Sequence, residues 1–294
     1  MFLLMVQSAS AFCGNYVGEA GAELVNTASE IAIVRQGNRT TITMASDFEA
    51  DVDDFAVVIP VPEILSEEDV KVIDPDLFDT LDQYSGPRLV SYTCDELYPE
   101  PPQSPSMGCG DEFALMQRTM DGGYTDLDTY SDVAVEARFV VGEYEIVVLS
   151  AEESSALLGW LNDNGYAVSD EAGSMMQEYL DGGSYFFAAK VDTDLIPAAQ
   201  DMLSPLRFSY TSDVFSLPIR LGTVNSPGEQ DLVIYALTDA EEGRVGISNY
   251  DKATVEDECL FEGEDFGTFY QDRFDDGVGD AAQWVMEYGW YLIV

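Results

Sequence analysis

The chain has 294 residues and carries 12 Lys+Arg against 56 Asp+Glu, a formal net charge of -44. It contains no histidine, which excludes His-based triads, His metal sites and imidazole proton shuttles. So few cations argue against a nucleic-acid partner, while 46% hydrophobic and 12% aromatic content is enough for a substantial core.

The N-terminus combines a short apolar run with Ala9-Ser10-Ala11, the form of a secretory signal cleaved after Ala11. Residues 1–11 are read as a signal-peptide remnant, and the chain as exported: periplasmic, cell-surface or secreted. No later stretch reaches about 18 uninterrupted apolar residues, so no transmembrane helix is predicted.

Residues 22–48 alternate as strands do and turn at Gln36-Gly37-Asn38-Arg39, which predicts a hairpin. Phe55–Ile59 is a continuous apolar strand covered on both faces, ended by Pro60 and Pro62. Asp74-Pro75 opens a helix with Leu77, Leu81 and Tyr84 on one stripe, stopped at Gly86-Pro87. Residues 94–130 are rich in Pro, Gly, Asp and Ser and are read as a long loop.

Val133–Phe139 and Tyr144–Leu149 are two strands joined at Val141-Gly142-Glu143, with Tyr144, Ile146 and Val148 toward the core. Glu143 and Glu145 then share the other face. Ser150-Ala-Glu-Glu153 has the letters of a capping box before Leu157, Leu158 and Leu161. Ser169 starts a further helix through Leu180, and Tyr185–Val191 is a strand, which makes a β-α-α-β unit. Strands are predicted at Leu206–Tyr210, Phe215–Leu221, Leu232–Leu237 and Val245–Asn249. Helices follow through Phe266–Phe274 and Ala281–Tyr288. The aromatic side chains of Phe186-Phe187, Trp160 and the C-terminal stripe are read as core.

The class is α+β, with mixed, mainly antiparallel sheets and helices inserted between strands. Residues 12–294 are read as one domain, divisible into lobes 12–93 and 131–294 around the loop 94–130. The even cysteine count favours disulfides in an exported chain. Cys94 and Cys109 bracket the Pro-rich part of the loop and are the favoured pair. Closing it would stabilise by roughly 3 kcal/mol on the chain-entropy model, and Cys13–Cys259 is then what remains.

Several segments resemble one family. They are Phe12-Cys-Gly14, Gly37–Met44, Asp54–Pro62, Leu81–Val90, Val140–Ser150, Trp160–Tyr166, Leu217–Gly222 and Asp231–Leu237. Together they are similar to the bacterial exported family called domain of unknown function 2330, over about residues 12–290. The resemblance implies export and a shared fold. It implies no catalytic residues.

Among chemical motifs, Gly277-Val-Gly279 has the letters of a phosphate loop but sits between predicted helices, where a turn is the plain reading. Asp126, Asp128 and Asp132 alternate as calcium ligands do, but lack the glycine and glutamate of the full loop. No catalytic residue, metal site or cofactor is assigned. Cations are scarce, so Arg88, Arg138, Arg207 and Arg220 are singled out as ion-pair or anion positions. Arg207 and Arg220 are each expected to hold a partly buried carboxylate from an apolar strand. A surface this acidic repels itself and calls for screening by salt or bound divalent cations.

The reading that follows is a non-enzymatic exported binding or interaction module with a strongly acidic surface. Two alternatives stay open: a carboxylate-dependent hydrolase of glycan-type substrates, with Glu143 and Glu145 as the acid/base pair, and a calcium-dependent adhesion domain.

Overall fold

The computed structural model describes residues 14–18, 24–25, 28–46, 49–50, 54–89, 129–130, 133–192, 203–225, 231–238, 245–256, 258–260, 263, 265–279 and 283–289. The expected signal remnant and the loop 94–130 fall outside them almost entirely, as do Asp126, Asp128 and Asp132.

Two sheets form the body. The first contains β1 (Asn15–Gly18), β6 (Asp54–Val61), β8 (Thr129–Tyr130), β9 (Val133–Val141), β10 (Tyr144–Ala151) and β11 (Tyr185–Asp192). Its order is β1-β6-β11-β10-β9-β8, antiparallel throughout. The second contains β3 (Ala28–Gln36), β4 (Arg39–Ser46), β7 (Val70–Val72), β12 (Leu206–Thr211) and β13 (Asp231–Thr238), ordered β13-β3-β4-β12-β7. Here β13 runs parallel to β3 and the other pairs are antiparallel. Two short pairs complete the strands, β2 (Leu24–Val25) with β5 (Glu49–Ala50) and β14 (Asp251–Ala253) with β15 (Gln283–Val285). Strands from before residue 93 and after residue 131 lie side by side in both large sheets.

The sheets pack face to face because their strands alternate. Ile31, Ile33, Ile42, Met44, Phe208 and Tyr210 from the five-stranded sheet meet Phe55, Val57, Ile59, Tyr144, Ile146, Val148 and Phe187 from the six-stranded one. Phe187 and Phe208 touch across the gap, ring centroids 5.8 Å apart, which is how two inner faces interdigitate in a sandwich. The continuous apolar run of β6 has a simple cause. Phe55, Val57 and Ile59 face the other sheet, and Ala56 and Val58 face a second core on the opposite side.

That second core is built by α2 (Ser154–Asp163) and α3 (Asp170–Asp181), inserted between β10 and β11. Leu157, Trp160, Leu161, Ala172, Met176 and Leu180 pack on Val147, Leu149, Phe186 and Ala188. Ser169 caps α3, its Oγ accepting from the Ala172 N–H at 3.1 Å. The other sheet is covered on its outside by α1 (Asp76–Ser85), through Phe78 against Ala32 and Ala45.

Gly14, in the Phe12-Cys13-Gly14 segment, lies at φ +134° against β6. A Cβ there would meet the Val58 carbonyl oxygen at 3.0 Å, so the position requires glycine.

Some expectations are corrected. β6 does not end at Pro60 but runs to Val61. Among the described residues β1 pairs with β6 only as far as Val58, and Pro60 sits beyond that pairing, opposite Phe186 on β11. Ser150 forms no capping box, because β10 extends through Ala151. Its hydroxyl donates instead to Glu136 Oε1 at 2.6 Å. Phe78 and Leu81 anchor α1, whereas Tyr84 is exposed and meets Tyr288 edge-on. Residues 215–219 are irregular and run into a 3-10 turn, Arg220–Asn225, and residues 245–250 are irregular too, so neither is a strand. α4 (Phe266–Val278) forms as expected, but its aromatic ladder Phe266–Tyr270–Phe274 is only half-buried rather than core. The expected helix at Ala281–Tyr288 is replaced by β15 and irregular chain.

Candidate functional site

Two places on the sandwich gather chemistry-bearing residues. The first is the tip of the β9–β10 hairpin. Gly142 and Glu143 form its two-residue turn, with Gly142 at φ +60°. Glu143 therefore leaves the strand alternation and tucks inward, only 7% exposed. Its Oε1 accepts from the Ser204 N–H at 2.9 Å, and its carbonyl accepts from Asp192 N–H at 2.9 Å. The neighbouring Tyr144 hydroxyl donates to the Ser204 carbonyl at 2.7 Å. Consecutive residues thus hold both backbone groups of Ser204. Burial first, then the Glu143 and Tyr16 charges, push the Tyr144 hydroxyl well above its ordinary pKa, so it stays a donor.

Glu145 remains on the strand and points to the outer face, 3.9 Å from the Arg138 guanidinium. Glu143, Glu145, Lys190 and Asp192 line a hollow of about 300 Å3 open to solvent. The two glutamates do not share a strand face, but they do border one space. Each is already engaged, Glu143 by a backbone amide and Glu145 by an arginine.

The second place is the outer face of the five-stranded sheet. The alternation that sends Ile42, Phe208 and Val70 inward sends Thr43, Arg207 and Lys71 outward. These three sit directly across from one another in the order Thr43, Arg207, Lys71. Arg207 Nε donates to Thr43 Oγ1 at 2.9 Å. In the next row Thr41 and Ser209 share a hydrogen bond of 2.8 Å between their hydroxyls. Arg39 follows on the same face, 3.6 Å from Asp69. Burial lowers the Arg207 pKa from its ordinary value.

The singled-out arginines therefore have four different settings. Arg88 donates from Nη2 to the carbonyls of Gln83 and Tyr84, at 3.2 and 2.7 Å, and caps the C-terminus of α1. Arg138 meets Glu145. Arg220 lies in the 3-10 turn rather than in a strand, and pairs with Glu178 on α3, both side chains exposed. Arg207 is in a strand as expected, but its partner is a threonine hydroxyl, not a carboxylate. Cys259 is exposed with a free thiol. Cys13, Cys94 and Cys109 lie outside the described residues. Gly277 and Gly279 end α4, Gly279 taking φ +61° as its C-cap, and β15 follows rather than a helix. Among the described residues no group of three or more Cys, Asp or Glu side chains could hold a metal ion. Among them also, no helix is long and apolar enough to cross a membrane.

A family described as an uncharacterized protein conserved in bacteria (DUF2330) matches residues 7–274. The chain belongs to that family. No curated protein and no solved structure matches it. For this DUF2330 chain the α+β class and the family expected from the residues both hold.

Two residues at these two places carried no signal of their own in the sequence. Lys71 is a solvated lysine until the register of β7 on β12 sets it opposite Arg207. Ser204 becomes part of the hairpin tip through hydrogen bonds that span about sixty residues of chain.

Proposed function

We propose that this DUF2330 chain is a binding or interaction module that acts outside the cytoplasm, with a strongly acidic exterior and no catalysis of its own. Support for export comes from the Ala9-Ser10-Ala11 segment after an apolar run. The observation that carries the binding role is the unequal cover of the two sheets. α2 and α3 bury the outer face of the six-stranded sheet. Among the described residues, α1 covers the five-stranded sheet around Ala32 and Ala45, beside the buried Thr43. This leaves Arg39 and Lys71 exposed and Thr41, Arg207 and Ser209 half-buried beside Thr43, a patch of hydroxyl and cationic side chains on a rigid support. Sites on strands are held more precisely than sites on loops.

The hollow bordered by Glu143 and Glu145 favours a second reading, a carboxylate-dependent hydrolase acting on glycans. One experiment separates the two. The full chain is expressed with its own N-terminus, the cells are fractionated, and the purified protein is incubated with cell-envelope glycans. Recovery outside the cytoplasm with no release of reducing ends is expected. Retention in the cytoplasm would refute export. Release of reducing ends that disappears in Glu145→Gln would replace the module by the hydrolase.

A further inference from the structure

The Thr43–Arg207–Lys71 row runs against the electrostatics of the rest of the molecule. Carboxylates outnumber cations 56 to 12, so an acidic partner for any arginine is easily supplied. Arg39, Arg138, Arg220 and Arg273 have taken one, and Arg35 and Arg88 each hold two oxygens through their Nη groups. Arg207 has not. Among the described residues its guanidinium meets only Thr43 Oγ1, and the residue directly opposite it on β7 is another cation. Like charges facing each other across strands destabilise a sheet. The chain therefore keeps two of its rare positive charges adjacent at a cost, with no bond gained by Lys71 among the described residues.

The local chemistry fits an anion. With Nε occupied by Thr43, the four N–H groups of Nη1 and Nη2 remain, arranged as the fork that receives two oxygens of one group. The Thr43 bond fixes the guanidinium plane, which reduces the ordering that binding would otherwise require. Cβ atoms of directly opposed residues are about 5 Å apart, so the Lys71 ammonium can reach the same oxyanion as a point charge. In the Thr41–Ser209 pair one hydroxyl hydrogen is used between them and the other is available to a ligand. Partial burial of Arg207 strengthens its field on a contacting charge relative to a fully solvated cation. The net charge of -44 opposes approach from a distance, but ordinary salt screens that field beyond about 8 Å. Of the acids on this face, Asp69 is paired with Arg39 and Glu30 accepts from the Tyr235 hydroxyl.

We infer that the Thr43–Arg207–Lys71 row binds the oxyanion group of an acidic ligand: a carboxylate, sulfate or phosphate monoester. The inference rests on the module reading for the use of this face, and not on export.

The test is a 1H–15N NMR titration of the full chain with sodium sulfate, sodium phosphate and sodium glucuronate in turn. Sodium chloride holds ionic strength constant. At least one anion is expected to move the Arg207 Nε–H resonance and the amides of Thr43 and Lys71 saturably. The apparent affinity should fall at least tenfold in Arg207→Gln, followed on the amides, and in Lys71→Gln, and stay unchanged in Arg220→Gln. Which anion saturates identifies the source of the group. Shifts that are linear for all three anions, or an affinity unaltered by Lys71→Gln, would overturn the site. Lys71 is exposed, so that variant decides even if Arg207→Gln fails to fold. A failed titration in a protein that is exported and releases no reducing ends refutes the anion site and leaves the module reading standing.

Discussion

Glu30, on the outer face of β3, accepts a hydrogen bond from the Tyr235 hydroxyl at 3.2 Å. Burial is the main cause that raises its pKa above the ordinary value of 4.5, with the Asp82 and Asp79 charges adding to it and the Tyr235 bond opposing. The folded chain therefore binds this proton more tightly than the unfolded chain. The stability this gives is fully present below the ordinary carboxylate value and is lost as pH rises through the higher folded value. Above that range Glu30 is thus a liability relative to a neutral side chain in the same place. Glu30→Gln keeps an oxygen for Tyr235 and removes the charge. It is expected to raise the melting temperature at pH 7 by about 2 °C and to leave it unchanged near pH 4. Calorimetry at the two pH values checks this, and an equal gain at both would show that charge is not the cause.

At the scale of elements, two serines followed three residues on by an acidic or small residue behave differently. Ser169 caps α3 in fact, and Ser169→Ala should cost about 1 kcal/mol in urea unfolding. Ser150→Ala should leave α2 in place, because α2 starts at Ser154 and the Ser150 hydroxyl serves Glu136 on the adjacent strand. Equal losses of helical signal in the two variants would contradict this. The letters around Ser169 were sufficient because a cap is a local device, made by residues three apart. The Ser150-Ala-Glu-Glu153 letters misled because pairing with β9 carries β10 past the expected helix start. The β3–β4 hairpin and the alternation of β10 were legible for the local reason too. The Ala281–Tyr288 segment was not, since β15 exists only through pairing with β14, far back in the chain. Candidate sites divide in the same way. Arg207 was conspicuous among scarce cations, whereas its lack of an acidic partner and the opposing Lys71 depend on register between distant strands.

For the whole molecule, charge is the dominant adjustable term. Self-repulsion at -44 is present in the folded surface and is weakened by salt. The melting temperature is expected to climb by several degrees, roughly what 1–2 kcal/mol produces in a chain of this size, between 10 mM and 1 M sodium chloride. Potassium chloride should match it. A flat response would show that the carboxylates are already neutralised by partners, and a response to one cation alone would point to a specific ion. Scanning calorimetry over a salt series makes the measurement.

The interleaving of early and late strands has a consequence for how the molecule is made. β6, with its apolar residues on both faces, is among the first strands to leave the ribosome. Its neighbour β11 is synthesised only after the whole of β9, β10, α2 and α3, and β3 gains β13 later still. Local hairpins can form at once, but neither sheet can close until most of the chain has emerged, and such long-range pairing is slow. During that interval Phe55–Val61 lacks its neighbour β11, and Ala56 and Val58 lack the cover of α2 and α3, so the nascent protein must be kept from self-association. The same repulsion among its carboxylates that burdens the finished fold would then act as its own guard.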